Sequence, residues 1–478
     1  RYAGAFTSPA LQVQTGAAVS IPIEGARIHD AAGAGIRVIS GAPAVSGCIL
    51  ENNGSFDVEL AGSPSVGGSF DGCTLSSVEY EGTAPQPIAW TGNTFVDYGA
   101  RTSILDPDDL GAFAVGNTFV PVGGAVTDVL TGTVTVDGTW TAQLSPYLVR
   151  GTLTIQGPSA TLATLTLEPG VEVRMAANAF VYVGGTSASF PGALVADGDA
   201  AGGPATIRFT ADSGAPSPGF WRGVQLRGGA DASTLLRNVE IRYAGAFTSP
   251  ALLVQTGAAI SIPIEDVRIR DAAEAGIRVV SGVPAVSGCT LENNGSFDVE
   301  LAGSPNVGGS FDGCTLSSVE YEGTAPQPVA WPGNTFDNWG QRTSKLRILE
   351  LDEFTRANTF NPVTGAVLEV FAGIVEFDAT WGPAAGPLAF DGSTSIDGTD
   401  GVDGVTTLTL EPGVTIRLPA TRAFTVGRAS GDPGELIADG APGGLFQATI
   451  NFNVDSDVPN AGDWQGLIVD DTGRAVLR

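Results

Sequence analysis

The feature that most constrains the fold of this chain is an internal repeat with an offset of 241 residues. The eleven residues RYAGAFTSPAL occupy positions 1–11 and return at positions 242–252. Residues 1–95 and 242–336 then differ at only twelve positions. A chain that repeats itself this closely is expected to fold as repeated structural units rather than as unrelated domains.

The remainder of each copy has diverged but keeps its landmarks. The segment TLTLEPGV recurs at 164–171 and 407–414, and the last residues, RAVLR, match STLLR in the first copy. There, only the four residues NVEI lead into the next RYAG. We predict two units, 1–241 and 242–478, stacked continuously without a linker. A longer array of such repeats is the interpretation we favour, and a single trimmed duplication is the alternative.

Each copy also contains a finer period. In the second copy, related segments are 20 to 28 residues apart and begin at residues 238, 266, 288, 313 and 333. Each segment is a short alternating strand followed by a turn rich in Gly, Asn or Ala. In GCTLENN, the alternation predicts that Cys289 and Leu291 face inward, with Thr290 and Glu292 outward. Helical spacing is scarce, and only DPDDLGAF at 106–113 predicts a single helical turn.

Short strands at this spacing favour an all-β fold, a parallel β-solenoid in which every coil stacks on the previous one. One coil cannot bury its inner face alone, but stacked coils can, at ~4.8 Å per coil. With roughly 24 residues per coil, each repeat holds about ten coils and spans on the order of 50 Å, so the chain holds about twenty coils. A tandem of β-sandwiches is the alternative, and it predicts closer hairpins with more Asn-Gly turns.

One family resemblance supports the same fold. The run LTLEPGVTIRL, FTVG, GELIADG, ATINF, GDWQGLIV and RAVLR, continued by NVEIRYAG in the other copy, resembles right-handed parallel β-helix proteins of bacterial surfaces. These belong to the broad pectate-lyase-like superfamily, and the resemblance covers most of both copies. It implies a right-handed parallel β-helix. Because members include adhesins, stalk-like surface proteins and polysaccharide-cleaving enzymes, it does not imply one function.

Charge and hydropathy exclude some partners. Lys and Arg number 23 against 51 Asp and Glu, for a net charge of −28. Such a surface repels phosphate backbones, so we predict no nucleic-acid partner. No apolar run reaches the ~18 residues of a membrane-spanning helix, so we predict no membrane span. The chain neither begins with Met nor shows a signal peptide, and we interpret it as a mature fragment or a window cut from a longer protein.

The four cysteines form two pairs, Cys48 with Cys73 and Cys289 with Cys314, each separated by 25 residues. That spacing corresponds to one coil, which places each pair on neighbouring coils with Cα atoms about 5 Å apart. The distance permits a disulfide. Stacked, reduced cysteines that serve as small apolar core residues are the alternative. No Cys-x-x-Cys motif or nearby His indicates a metal at these positions.

Candidate catalytic groups are few. His29 is the single histidine, and Arg270 stands at the same position of the second copy, so catalysis that depends on His is not expected. Glycoside hydrolysis needs only two carboxylates, and Asp106, Asp108 and Asp109 lie close together. The second copy reads RILELDEF in that region and does not keep them. We therefore predict no catalytic residue and interpret these acids as solvated loop residues.

The candidate metal site is the segment DGTDGVDGV, which spaces Asp397, Asp400 and Asp403 three residues apart on a Gly-rich turn. Carboxylate oxygens on such a turn are ligands that Ca²⁺ prefers, and Ca²⁺ is the only cofactor that the sequence indicates. The first copy reads QGPSATLAT in that region. An acidic loop insertion without a bound ion is therefore the interpretation we favour.

The segment ENNGS occurs in both copies and contains two glycosylation sequons, at Asn53 and Asn294. In a host with the machinery these asparagines would be acceptors. The structural alternative, which we favour, is that asparagines in the turns of a solenoid point inward and satisfy backbone groups.

These observations favour a structural function without catalysis. We expect a segment of an extracellular or cell-surface rod, fibre or adhesin shaft, whose partners are further copies of itself, end to end or within one longer chain. A solenoid contacts only its neighbours, so added units extend it without redesign. The alternatives are a carbohydrate- or cation-binding module with surface glycans as partners, and a polysaccharide-cleaving enzyme. The enzyme would need an acid cluster in each active unit, and the two copies share none that the sequence reveals.

Overall fold

The computed structural model describes residues 8–16, 19–61, 66–82, 88–200, 203–257, 260–302, 307–322, 329–398, 403–427, 433–440, 448–455 and 462–478. Within these residues the chain forms short β-strands, here numbered in chain order, and two α-helices. It divides into two compact units, Arg1–Glu274 and Ala275–Arg478.

The first unit contains one long sheet and two pairs of shorter sheets. The long sheet has eleven described strands: β1 (Leu11–Gln14), β4 (Ile36–Ser40), β7 (Val58–Leu60), β10 (Val78–Tyr80), β13 (Ser103–Leu105), β15 (Thr127–Val129), β18 (Tyr147–Val149), β21 (Glu172–Met175), β24 (Ile207–Ala211), β27 (Val239–Arg242) and β30 (Arg268–Arg270). Up to residue 121 the other two sides are β2 (Pro22–Glu24), β5 (Ala44–Ser46), β8 (Gly68–Asp71) and β11 (Ile88–Thr91), and β3 (Arg27–His29), β6 (Ile49–Glu51), β9 (Thr74–Leu75), β12 (Thr94–Tyr98) and β14 (Thr118–Pro121). From residue 132 they are β16 (Gly132–Val134), β19 (Thr152–Ile155), β22 (Phe180–Val183), β25 (Gly223–Leu226) and β28 (Leu252–Gln255), and β17 (Gly138–Trp140), β20 (Ala163–Leu167), β23 (Gly192–Asp197), β26 (Leu235–Arg237) and β29 (Pro263–Glu265).

The second unit repeats this plan. Its long side has eight described strands: β31 (Ile277–Ser281), β34 (Val299–Leu301), β37 (Val319–Tyr321), β40 (Ser344–Arg347), β42 (Leu368–Phe371), β45 (Leu388–Phe390), β48 (Thr415–Leu418) and β51 (Asn451–Val454). The other sides are first β32 (Ala285–Ser287), β35 (Gly309–Asp312) and β38 (Val329–Ala330), with β33 (Thr290–Glu292), β36 (Thr315–Leu316), β39 (Thr335–Trp339) and β41 (Thr359–Pro362). They are then β43 (Ile374–Val375), β46 (Thr394–Ile396), β49 (Ala423–Val426) and β52 (Gly466–Val469), with β44 (Ala379–Trp381), β47 (Thr406–Leu410), β50 (Gly434–Ala438) and β53 (Gly473–Leu477).

The strands pair in parallel, as coils that stack on one another. Val58 of β7 pairs with Ile36 of β4 on one side and with Val78 of β10 on the other, which gives coils of 22 and 20 residues. The longest step in the first unit joins Val181 to Val224. Eleven and eight described strands on the long sides agree with the expected total of about twenty coils. This confirms the all-β parallel β-solenoid and excludes the sandwich alternative, whose strands pair as antiparallel hairpins.

The core of each unit is a column of inward-facing side chains. Ile36, Val58 and Val78 occupy paired positions on successive coils, and all three are fully buried. Aromatic rings stack in the same way: Phe70 and Trp90 lie with their ring centroids 4.5 Å apart and their planes 11° apart. Since each side chain is covered by the coils above and below, the buried surface grows with every added coil.

Among the described residues, each unit has one α-helix inserted between coils. The helix α1 (Pro107–Gly116) starts after Asp106, whose side chain accepts a hydrogen bond from the Asp108 N–H. Pro107 occupies the first turn, where its missing N–H costs nothing. At ten residues α1 is longer than the single turn expected, because Phe113 packs against the ring of Trp90. The second helix, α2 (Leu351–Arg356), has six residues.

Three-residue 3₁₀ turns are also present, at Ala142–Leu144, Ala246–Thr248 and Ile348–Glu350. Among the described residues, neither α-helix is long and apolar enough to cross a membrane.

Candidate assembly site at the repeat junction

The boundary between the two sequence repeats, 241/242, falls inside strand β27 and inside the first compact unit. Ile241 of this strand pairs with Phe209 of the preceding coil and with Ile269 of the following coil. All three side chains are buried. The column of core residues therefore continues from the first sequence repeat into the second without a break.

The other two sides of the coil continue in the same way. On one side Val224 pairs with Leu252, and on the other Leu236 pairs with Ile264. These four side chains are also buried. The last coil of the first repeat, formed by β25, β26 and β27, thus covers the first coil of the second repeat, formed by β28, β29 and β30.

The same sequence stands uncovered elsewhere in the first unit. Strands β1, β2 and β3, which we call the first coil, match β28, β29 and β30 in sequence except at a few positions. Ile23 and Ile28 are only half-buried in the first coil, whereas their counterparts Ile264 and Ile269 are fully buried. The residues are the same, so the difference in exposure comes from the preceding coil, which covers Ile264 and Ile269.

A second uncovered apolar edge lies in the second unit, on β52 and β53, which we call the last coil. Val469 is 48% exposed and Leu477 is 58% exposed. At the equivalent positions of the first repeat, Leu226 is 0% exposed and Leu236 is 1% exposed. Covering a fully exposed Val or Leu side chain stabilises a structure by roughly 1.5–3 kcal/mol, and these partly exposed ones by less.

Ion pairs cross the junction alongside the apolar column. Arg237 Nε donates to Glu265 Oε2 at 2.7 Å, and Arg270 Nε donates to Glu240 Oε1 at 2.8 Å. The hydrogen bond to Glu265 raises the pKa of Arg237. In each pair, one residue belongs to the first repeat and the other belongs to the second. A shift of the strand pairing by one residue would therefore separate the two charges. The ion pairs thereby select one register for the stacked repeats.

A polar groove is duplicated in the two units, away from the junction. In the first unit Asn53 Nδ2 donates to Asp57 Oδ1 at 2.7 Å, and the Ser76 N–H and Oγ donate to Asp57 Oδ2 at 2.7 and 2.9 Å. Burial raises the pKa of Asp57, and the hydrogen bonds from Asn53 and Ser76 oppose this shift. The groove encloses about 410 Å³ and is also lined by Arg101.

The second unit builds the same arrangement. Asn294 Nδ2 donates to Asp298 Oδ1 at 2.8 Å, and Ser317 N–H and Oγ donate to Asp298 Oδ2 at 2.7 and 2.8 Å. This groove encloses about 510 Å³ and is lined by Arg342. Both predicted sequon asparagines therefore use their side-chain amides within the fold. Asp57 and Asp298 were not among the predicted site residues, although both lie in segments that are identical in the two repeats.

A row of carboxylates on the outer side of the coils is also shared by the repeats. Glu59 and Glu79 pair in register on β7 and β10, and Arg37 lies within 3.8 Å of Glu59. Burial, with the neighbouring Glu59 and Glu81, raises the pKa of Glu79.

In the second unit, Glu300 and Glu320 pair in the same way, and Glu322 contacts Arg278 at 2.5 Å. The repeats thus share a row of carboxylates that spacing along the chain does not reveal, because the register between coils brings them together.

The three acids around α1 do not form one site. Asp106 caps the helix, Asp108 accepts from the Thr135 N–H at 2.6 Å, and Asp109 accepts from the Tyr80 hydroxyl at 2.8 Å. The interpretation of all three as solvated loop acids was wrong for Asp106 and Asp109, which are buried.

The single histidine makes a local contact. His29 Nδ1 lies 2.7 Å from Asp30 Oδ2 on the first coil.

The four cysteines are buried thiols. Cys48 and Cys73 lie on neighbouring coils, and the Cys48 N–H donates to Cys73 Sγ at 3.4 Å. The Cys73 N–H in turn donates to Asn93 Oδ1 at 2.9 Å, and the Cys314 N–H donates to Asn334 Oδ1 at 2.8 Å. In this state the thiols serve as small core residues.

The predicted calcium segment is described only in part. Asp397 is buried, and Asp403 accepts a hydrogen bond from the Val405 N–H at 2.9 Å, as in a local turn. Asp400 lies outside the described residues. Within the described residues no group of three or more His, Cys, Asp or Glu side chains is placed to hold a metal ion.

Comparisons with protein families, curated proteins and solved structures found no match for this chain.

Proposed function

We propose that this chain is a structural segment of an extracellular, repetitive rod, fibre or adhesin shaft built from tandem β-helix units. The observation that supports this best is the continuous pairing of coils from the first sequence repeat into the second, where Ile241 pairs with both Phe209 and Ile269. Each coil is the template for the next one, so repeats extend a column rather than form separate domains. The partners are further copies of the same unit, either end to end or within one longer chain.

The residues at the junction fit this function. Ile241, Leu252 and Ile264 bury apolar surface between repeats, and the Arg237 and Glu265 pair adds a register-specific contact. The likeness of the sequence to right-handed β-helix proteins of bacterial surfaces in the pectate-lyase-like superfamily supports the same function and a cell-surface location. No cofactor is needed for it.

The direct test is electron microscopy of the native material, labelled with an antibody against this chain. We expect filaments or shafts with an axial period of about 50 Å, or about 100 Å if two repeats form the visible unit. Isolated particles without any axial period would contradict the proposal.

A second test changes length by design. A variant with one additional copy of residues 238–478, which includes the NVEI that joins the repeats, should gain about 50 Å in its longest dimension by small-angle scattering, without a change in cross-section. An equal mass of an unrelated globular domain, fused at the same end, is the control. An increase in cross-section instead of length would contradict a column.

A glycan-binding surface is the second candidate function, and the duplicated groove favours it. The grooves at Asp57 and Asp298 present hydroxyl, amide and guanidinium groups, which are the groups that hydrogen-bond to sugars. The test is binding to a glycan array before and after the paired change Arg101→Ala and Arg342→Ala. Loss of binding with unchanged thermal stability supports this function, and unchanged binding contradicts it.

A further inference from the structure

We infer that two copies of this chain associate side by side, with their first units antiparallel, through opposite charges on the outer face of the long sheet. One contact surface, which we call the acidic region, lies at β7 and β10 and consists of Glu59, Glu79 and Glu81. The other, the arginine region, lies at β24, β27 and β30 and consists of Arg208, Arg242, Arg268 and Arg270. The inference goes beyond the proposed function, which concerns growth of the column along its axis, and does not depend on it.

One row of outward positions on the long sheet joins the two regions. Pairing in register leads from Glu59 to Glu79 and on to Arg174 of β21, by way of Ile104, Asp128 and Leu148. Five steps between neighbouring strands lead from β10 to β24. At ~4.8 Å for each step, the two regions are on the order of 24 Å apart on the same face. This face is therefore negative at one end and rich in arginine at the other.

The acidic region has more carboxylates than cations. Arg37 lies 3.8 Å from Glu59 and 2.5 Å from Glu81, so one guanidinium is shared by two carboxylates. Glu79 lies in register beside Glu59. Burial and the charges of Glu59 and Glu81 raise the pKa of Glu79. A cation supplied by a partner would relieve this repulsion.

The arginine region has the opposite balance around Glu240. Arg208 Nε donates to Glu240 Oε2 at 3.2 Å, and Arg270 Nε donates to Glu240 Oε1 at 2.8 Å. Arg242 Nε lies 3.8 Å from the same Oε1. This Arg242 nitrogen is buried and makes no hydrogen bond to any residue that the structure describes. Three guanidiniums thus share one carboxylate, which leaves donors for the carboxylates of a partner.

A groove of about 530 Å³ lies over these arginines and gives a partner access to them. The buried Ile241 and Ile269 alternate with the arginines along β27 and β30, so the guanidinium groups are on the outer face. The Arg208 side chain is 52% exposed, and Arg268 is exposed as well. The groove can therefore accept glutamate side chains from outside the chain.

Charge and spacing together favour a second copy as the partner. The net charge of −28 makes two copies repel each other over most of their surface, so they are expected to meet where arginines are concentrated. Carboxylates on the coils of a second copy have the same ~4.8 Å spacing as the arginines, because both belong to the same solenoid. Carboxylates and guanidiniums can then pair coil by coil.

The position of both regions on one face fixes the symmetry. A two-fold axis through the long sheet, midway between the regions, places the arginine region of each copy on the acidic region of the other. The two contacts are identical, and no region is left over for a third copy. Lateral association therefore closes as a dimer.

The test is sedimentation velocity of the full chain over roughly a hundredfold range of concentration. At about 20 mM NaCl we expect dimers, and at about 500 mM NaCl, where charges are screened, the dissociation constant should rise ~tenfold or more. Wild type that stays monomeric at low salt, or that associates equally at both salt concentrations, overturns the inference.

Charge reversal tests the two regions separately. Glu79→Arg and Arg208→Glu should each weaken the dimer ~tenfold or more, whereas an equimolar mixture of the two variants should restore it, because both contacts of a mixed dimer again join opposite charges. Glu79→Arg removes like-charge repulsion within the chain, so it should not lower the melting temperature. If Arg208→Glu does lower it, Arg208→Gln replaces it, because this variant adds no negative charge beside Glu240, and it should still weaken the dimer.

Two matched controls lie in the second unit. Glu320→Arg alters the carboxylate that pairs with Glu300 as Glu79 pairs with Glu59. Arg417→Glu alters an outward arginine of β48 whose neighbours in the row are Ala389 and Asn453. Both variants should dimerise like wild type. Equal weakening by Glu320→Arg, or no restoration in the mixture, overturns the contact between first units.

The outcomes separate this inference from the proposed function. A salt-sensitive dimer of a chain whose native material shows no axial period leaves the inference standing and contradicts the rod. A chain that stays monomeric at low salt, from material with an axial period of about 50 Å, supports the rod and overturns lateral pairing.

Discussion

The Tyr80 hydroxyl donates a 2.8 Å hydrogen bond to the Asp109 carboxylate inside the first unit, where both residues are buried. Trp90 Nε1 donates to the same Tyr80 oxygen at 3.1 Å. Burial raises the pKa of Asp109 to about 7, while the hydrogen bonds from Tyr80 and the Ile88 N–H oppose the shift. At the equivalent place in the second unit, Glu350 accepts from Arg347 at 2.8 Å.

The first prediction concerns pH. Between pH 4 and 7 the folded state holds a proton on Asp109 that the unfolded state has released, so the free energy of unfolding falls as pH rises through this window. It levels off above pH 7, and the full effect is on the order of 4 kcal/mol. Asp109→Asn should remove most of this slope in urea titrations. Asp97→Asn is the control, because the second repeat carries Asn338 there with the same backbone conformation. An unchanged slope in Asp109→Asn would show that Asp109 ionises normally.

The second prediction compares one residue in two environments. Ile269→Ala should lower the free energy of unfolding by about 2–5 kcal/mol, because Ile269 is fully buried by the coils on both sides. Ile28→Ala, at the equivalent position of the first coil, should cost less than about 1.5 kcal/mol because Ile28 is half-exposed. Urea unfolding of both variants measures the difference. Equal costs would mean that the first coil is covered in solution.

The third prediction concerns the duplicated groove. Asn53→Ala leaves the buried Asp57 without one donor, which should cost about 1–3 kcal/mol in thermal or urea unfolding. Asn52→Gly is the control: Asn52 is exposed and has φ 55°, a conformation that glycine adopts without strain. Because the Asn53 amide is engaged, the folded chain should also stay unmodified at this sequon in a glycosylating host. An intact mass that includes a glycan on Asn53 contradicts this.

The fourth prediction concerns the cysteines. Cys48 and Cys73 are buried thiols, and burial raises the pKa of Cys73, so both should resist iodoacetamide in the native chain. In guanidinium chloride all four cysteines should react. Mass spectrometry without reductant counts the labels. If unfolded chains remain unlabelled at one pair, that pair is a disulfide and the alternative of stacked thiols is wrong.

The fold was predictable from the sequence because its period is visible there. Alternation placed Cys289 and Leu291 inward, and both are buried. Outward contacts were not predictable, because coil length varies: Val58 and Val78 are 20 residues apart, whereas Val173 and Phe209 are 36 apart. Without the turn lengths, the register that joins Glu59 to Glu79 or Arg270 to Glu240 cannot be read from spacing. The extent of α1 was missed for a related reason, since Phe113 is held by a ring from another coil.

The unbroken pairing of coils around Ile241 also bears on how such a gene can change. Because Ile241 pairs with Phe209 and with Ile269 alike, the join between two copies is an ordinary contact between coils. We expect unequal recombination between the near-identical segments 1–95 and 242–336 to return core side chains to neighbours of the same kind. Such crossovers would change the number of coils while the interior stays the same.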